Sequence, residues 1–265
     1  MEAVAVESVP EAMSAFQYLL VYNSISFTFA AMAAATIFLW FGRSEVAPAY
    51  RTALVISGLV TAIAAYHYFR IFQSWEAAFL FENGTVSAAG YAFNDAYRYV
   101  DWLLTVPLLL IELVLVMRLS CDETISKATR LGVAAALMVI LGYPGEIAES
   151  NGTRALWGFL STIPFAYIVY ELFSGLGRAI ETQPPQVRSL IKQARLLTFA
   201  SWGFYPIVYM APFVGLEGPT ANTVIQIGYT VADLVAKVGL GILIYIIAVR
   251  KSGIEMDQAQ KTAKA

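Results

Sequence analysis

The sequence predicts an all-α membrane protein, a bundle of seven transmembrane helices with a short extracellular β-hairpin between helices two and three. Three observations predict it. Only 14% of the 265 residues are charged and 58% are hydrophobic, where a soluble domain carries roughly 25% charged residues. Apolar runs recur along the whole chain, most of them long enough to cross a bilayer core of about 30 Å as a helix. Basic residues gather at alternate ends of those runs.

The spans fall at 16–41, 49–72, 96–117, 128–143, 154–173, 190–213 and 220–249, with Gly, Pro, Asn or charge clusters between them. The fourth is the shortest and ends at "GYPGE". Segments on the C-terminal side of spans one, three, five and seven hold 13 of the 17 basic residues, from Arg43 to Lys264. Excess Lys and Arg mark cytoplasmic segments, so the N-terminus is expected outside and the C-terminus in the cytoplasm. Six spans would put both termini on one side and spoil that asymmetry. The expectation is a multi-pass protein of the cell (plasma or inner) membrane, with residues 1–265 forming one seven-helix domain.

Residues 1–15 contain three glutamates and no Lys or Arg. They lack the basic start of a secretory signal peptide and predict an acidic extracellular tail. Residues 251–265 are expected to form a cytoplasmic tail. Between spans two and three, the Asn83-Gly84 pair in "FENGTVSAAGYAF" is flanked by Phe, Val and Tyr, a hairpin signal. Turn chemistry accounts for the Asn83 and Asn151 sequons more simply than glycosylation does. Cys121 is the only cysteine, so no internal disulfide forms. Nothing in the charge pattern suggests a nucleic-acid partner.

Few ionisable residues lie deep in the spans: His67 on the second, Arg98, Asp101 and Glu112 on the third, Asp233 and Lys237 on the seventh. Such residues are costly in hydrocarbon and normally face the bundle interior in pairs. A purely structural polar cluster becomes a poor explanation when six share related depths. On the third helix Glu112 stands eleven residues beyond Asp101, about 16 Å further inward at the helical rise. The order from outside to inside is Arg98, then Asp101 and Asp233, then Lys237, then Glu112, a series suited to carrying protons. A lysine amine is also the usual nucleophile toward an aldehyde, giving an imine that neighbouring carboxylates can keep protonated.

With those residues in place, the sequence resembles the microbial rhodopsins over essentially its whole length. The match rests on "NDAYRYVDWLLTVPLLLIELVLV" (94–116), "SWGFYPIVY" (201–209) and "DLVAK" (233–237), in that order on helices three, six and seven. The resemblance implies that Lys237 carries all-trans retinal as a protonated Schiff base. It implies that Asp101 is the counterion and proton acceptor, Asp233 the second counterion and Arg98 their partner. Asp101, Thr105 and Glu112 form the triplet of proteorhodopsin-like outward proton pumps, with Glu112 as the cytoplasmic proton donor. His67, in "AAYHYFRIF", falls where this branch pairs a histidine with the acceptor. Trp102, Trp202, Tyr205, Pro206 and Tyr209 match retinal-pocket positions, and Leu109 occupies the position whose leucine favours green absorption.

Gly158, in "RALWGFLSTIPFAY", matches the xanthorhodopsin-like branch, where glycine opens a lipid-facing window beside the retinal ring. That admits a carotenoid antenna, a hydroxylated or keto xanthophyll, although a small residue can equally serve close helix packing. Relatives form pentamers or similar rings, so a homo-oligomer is expected. The rival within the family is a photosensory receptor signalling through a partner. Such sensors often lack a carboxylic donor, so Glu112 favours the pump.

Overall fold

A computed structural model describes residues 13–82 and 84–264. The expected N-terminal tail lies outside the described residues except for its last three, and so does Asn83 of the expected turn. Seven helical rods form the bundle: α1 (Ala15–Gly42), α2 (Pro48–Ala78), α3 (Ala96–Met117), α4 (Cys121–Glu146), α5 (Asn151–Glu181), α6 (Pro185–Tyr209) and α7 (Gly218–Lys264). Between α2 and α3, β1 (Phe79–Glu82) pairs antiparallel with β2 (Thr85–Ala88), and Glu82 sits opposite Thr85. The register leaves a two-residue connection, and Gly84 has φ 76°. That left-handed conformation costs glycine little.

The α3 boundaries coincide with the expected span, whereas most of the other helices run past theirs. The physical reason is that hydropathy marks the hydrocarbon layer and not the helix end. At α4 the Ser120 hydroxyl accepts the Glu123 N–H, and Asp122 and Glu123 occupy the first turn. Caps and first-turn acids stabilise a helix start outside the apolar layer. Ser150 caps α5 in the same way. The expected sixth span reached residue 213, but α6 stops at Tyr209 and a 3-10 turn, Ala211–Val214, with Pro212 inside it, follows.

Among the described residues six helices are long and apolar enough to cross a membrane by length and composition. The exception is α6, whose first half carries Arg188, Lys192, Gln193 and Arg195. It nonetheless belongs to the bundle, because Val187, Ile191, Ala194, Thr198, Ser201 and Trp202 form a buried stripe.

The expected C-terminal tail is helical over its described residues. Residues 251–264 continue α7 as helix, and Lys251 is buried. Its Nζ donates to Val116 O (3.0 Å), Met117 O (3.2 Å) and Gln183 Oε1 (2.8 Å). A cation on the last carbonyls of α3 satisfies orphan acceptors and complements the helix dipole.

In the most apolar stretch of α3, 61% of residues are buried, against 22% for α5. Thus α3 is the inner helix on which a site can be built, and α5 lies at the periphery. Lipid gives no hydrophobic drive for helix association, so small residues and close packing hold the rods together. A Cβ on Gly58 of α2 would run into the Trp40 indole of α1. At the hairpin end, Trp75, Phe79 and Phe93 pack on one another, and Tyr18 of α1 stacks on Phe81 at 5.5 Å between ring centroids. This aromatic cluster pins the hairpin over the bundle mouth.

Candidate functional site

Side chains from three helices meet at one layer: α3 supplies Arg98, Asp101 and Trp102, α7 supplies Asp233 and Lys237, and α2 supplies His67 and Tyr68. All seven are buried. Lys237 lies within a π-helical turn, Leu234–Gly239, inside α7. Its Nζ donates to Asp101 Oδ2 (2.6 Å) and to Asp233 Oδ1 (2.7 Å). One cation therefore bridges two carboxylates from different helices, the pairing that makes charge tolerable at this depth.

The two carboxylates differ in their surroundings. Asp233 Oδ1 also accepts from Tyr205 Oη (2.6 Å) and Trp102 Nε1 (2.9 Å), while Oδ2 accepts from Tyr68 Oη (2.8 Å) and faces Arg98 Nη1 at 3.5 Å. Four side chains besides the lysine occupy its lone pairs. Asp101 Oδ1 has no hydrogen-bond partner among the described residues. His67 Nδ1 lies 4.0 Å from it and 2.9 Å from the Ile63 carbonyl oxygen. The nearer partner is the backbone, so His67 faces Asp101 without a direct hydrogen bond to it.

Thr105 is buried, and its hydroxyl donates to the Asp101 carbonyl oxygen (2.7 Å) within the same helix. Glu112 is fully buried, with no hydrogen-bond partner within 3.5 Å of either carboxyl oxygen among the described residues. Ser57 Oγ of α2 is likewise buried without one.

A cavity opens between α3, α4, α5, α6 and α7. Trp102, Trp202, Tyr205, Pro206, Tyr209 and Gly158 line it, together with Tyr99, Phe165 and Tyr229. Its empty space is about 740 Å³ with the open side included. Leu109 is buried but is not among the lining residues. Trp102 sets its ring edge-on to Tyr205 and Tyr229, at 5.0 and 5.1 Å between centroids. Trp102 and Tyr205 thus line the cavity and also donate to Asp233, joining the apolar space to the charged layer. A mainly aromatic slot, linked through Trp102 and Tyr205 to the carboxylate that pairs with the buried amine, suits a long apolar aldehyde better than a polar solute.

Gly158 lies against Tyr209. A Cβ there would stand 2.9 Å from Tyr209 Cε1. Tyr209 is fixed further by its hydroxyl, which donates to the Arg154 carbonyl (2.7 Å), and by the Arg154 guanidinium 4.3 Å from its ring centroid.

Sequence reasoning missed Tyr68, Gln226, Tyr229 and Glu146. Arg98 Nη1 donates to Tyr68 Oη (3.0 Å) and Nη2 to Gln226 Oε1 (2.8 Å). Glu146 Oε2 accepts from Tyr99 Oη (3.1 Å) and Tyr229 Oη (2.9 Å), and Oε1 accepts from Arg154 Nη2 (3.0 Å). A signal was available for two of them. Gln226 and Tyr229 precede Asp233 by seven and four residues, the spacing of one helix face.

The fold and site define a class: a seven-helix membrane protein with a buried lysine between two carboxylates at the edge of an aromatic cavity. The family model for bacteriorhodopsin-like proteins matches residues 21–251, so the chain belongs to that family and is a microbial rhodopsin. It is similar to the green-light absorbing proteorhodopsin of Gamma-proteobacterium EBAC31A08, 32% identical over 236 residues, covering 87% of this chain and 88% of the relative. It also resembles the crystal structure of xanthorhodopsin, described as a light-driven ion pump with dual chromophore. That likeness has 53% identity and a TM-score of 0.89, covering 94% of this chain and 99% of the other. The crystal structure of thermophilic rhodopsin is similar as well, with 46% identity, a TM-score of 0.89 and coverage of 93% and 99%.

Proposed function

We propose that this rhodopsin is a light-driven proton pump that moves protons from the cytoplasm to the exterior, with retinal held on Lys237. The observation that carries the reading is the inequality of the two carboxylates around the amine. Asp233 is saturated with donors and serves as the lasting counterion. Asp101 keeps one oxygen open toward which a proton can be delivered. When bound as an imine on Lys237, retinal supplies light absorption and a change of geometry at the lysine nitrogen. Asp101 then accepts the nitrogen's proton, while Tyr68, Tyr205, Trp102 and Arg98 hold Asp233 in place. His67, 4.0 Å from Asp101, tunes the acceptor through charge. Glu112 stands about 16 Å inward of Asp101 along α3 and returns a proton from the cytoplasmic side. Orientation follows the charge asymmetry, with the hairpin outside and the end of α7 in the cytoplasm.

The decisive experiment is illumination of retinal-supplemented cells in weakly buffered medium. Outward pumping acidifies the medium, and a protonophore abolishes the signal. A sensory receptor gives a visible band but no sustained acidification, which would overturn the pump.

Glu112→Gln should leave the absorption band in place and slow reprotonation of the lysine nitrogen by about 10²-fold, the usual loss for a removed proton-transfer group. Flash photolysis checks it, and unchanged recovery kinetics would remove Glu112 as donor.

For the antenna, Gly158 is proposed as the point of approach for a carotenoid ring. Tyr209 fills the place of a side chain there, so the glycine also serves packing. Excitation spectra of protein incubated with a hydroxylated or keto carotenoid should show energy transfer that Gly158→Trp removes. Equal transfer in both proteins would refute the assignment.

A further inference from the structure

The hydrogen-bonded groups on the hairpin side of Arg98 have no part in the transfer from Lys237 to Asp101. From Arg98, Nη2 donates to Gln226 Oε1 (2.8 Å), and Gln226 Nε2 donates to Asp95 Oδ1 (2.9 Å). Asp95 is the N-cap of α3, half-buried at the hairpin end of the bundle, and its neighbour Asn94 is exposed. The groups that face it are Arg98 on α3, Glu146 at the end of α4, Arg154 on α5 and the Gln226 amide on α7. Glu146 is already bound by Arg154, Tyr99 and Tyr229. The chain of contacts running outward from the counterion layer therefore reaches a carboxyl beside exposed chain.

We propose that Asp95 is the exit carboxyl of this protein, the group that takes the proton leaving Asp101 and hands it to bulk water on the hairpin side. Arg98 and Gln226 act as positioning residues, and the assignment rests on the pump reading above. In the step, the O–H bond on Asp101 breaks and one forms on Asp95. The Asp95 O–H then breaks in turn and the proton passes to bulk water. No electrons change hands. The path from Asp101 covers six residues of α3, about 9 Å, and water carries the proton across it.

Burial pushes the Asp95 carboxyl up to about 6, with Glu146 adding to the rise while Arg98, the Gln226 N–H and Arg154 oppose it. The sign follows directly. Above about 6 Asp95 is ionised and can accept a proton; below it the site is filled and transfer from Asp101 is blocked. A group titrating near the working pH is well matched to relaying protons.

The test uses the full chain reconstituted with all-trans retinal, with time-resolved infrared detection of the Asp101 carboxyl band and a pH-indicator dye in the medium. In the wild type, loss of the Asp101 band and dye acidification should both slow as pH falls through about 6. Asp95→Asn should slow both at neutral pH by at least about tenfold and flatten that pH dependence. Asp95→Glu should restore the dependence with a shifted midpoint. Gln226→Leu, which keeps the carboxyl and breaks its link to Arg98, should move the midpoint without flattening it. Wild-type kinetics and midpoint in Asp95→Asn would overturn the proposal. If that variant forms no visible band, an unmoved midpoint in both Asp95→Glu and Gln226→Leu overturns it. Absence of any Asp101 carboxyl band in the illuminated wild type would instead bring down the pump reading, and this assignment with it.

Discussion

Lys237→Ala is expected to abolish the visible absorption band of retinal-supplemented protein completely. No other lysine among the described residues stands in the layer of Asp101, Asp233 and the aromatic cavity, so no second amine can take its place. The same change removes the cation that donates to both carboxylates. Breaking one side of a buried ion pair costs about 3–5 kcal/mol, because the remaining charges lose their partner in a medium that cannot hydrate them. The variant should therefore unfold at clearly lower temperature in the same detergent. Absorbance spectra and thermal denaturation followed by circular dichroism check the two effects. A retained band of normal intensity would show that the chromophore sits elsewhere.

Asp101→Asn should reduce light-driven acidification by about 10²-fold or more while leaving the helix bundle intact. Among the described residues the Asp101 carboxylate has the Lys237 contact on Oδ2 and the distant His67 near Oδ1, so an amide can replace it with little disruption of hydrogen bonds. The same substitution at Asp233 should behave differently. There the incoming N–H₂ would point at Tyr, Trp or Arg donors that already occupy both oxygens. A donor facing a donor in a dry site leaves both unsatisfied, which costs about 1–3 kcal/mol per group. Comparison of pumping and thermal stability in the two variants separates the acceptor from the fixed counterion. Equal pumping by Asp101→Asn and wild type would end the acceptor assignment.

Much of this was legible in the residues. Charges inside apolar runs stand out in any sequence, and Arg98, Asp101, Asp233 and Lys237 do meet in one layer. The α3 boundaries could be read because hydrophobicity and helix stop together there: Asp95 precedes the run, and Arg118 takes a left-handed conformation with φ 53° after it. At α4 and α7 the two signals separate, and caps or buried contacts such as Lys251 carry the helix beyond the hydrocarbon layer. Tyr68, Tyr229 and Glu146 escaped notice for another reason. Tyrosine is unremarkable in a membrane helix, and its role depends on the rotation of each rod about its axis, which pairwise packing decides. Thr105 and Leu109 show the converse. Their motif positions are clear, yet one hydroxyl is held by its own helix and the other side chain stands outside the cavity lining.

The π-helical turn at Leu234–Gly239 acts as a phase shift in α7. An i→i+5 turn accommodates one residue more than the surrounding α-helix, so the two halves of the rod are offset by about 100°, one residue of a 3.6-residue turn. The half before it aims Gln226 and Asp233 at Arg98; the half after it aims Lys251 at the end of α3. Deleting a single residue inside the turn would restore a plain α-helix and rotate one half against the other. The lysine and the two ends it connects could not then all face the bundle. In this helix the extra residue works as a hinge pin cast in place, holding two differently clocked surfaces in register around the amine.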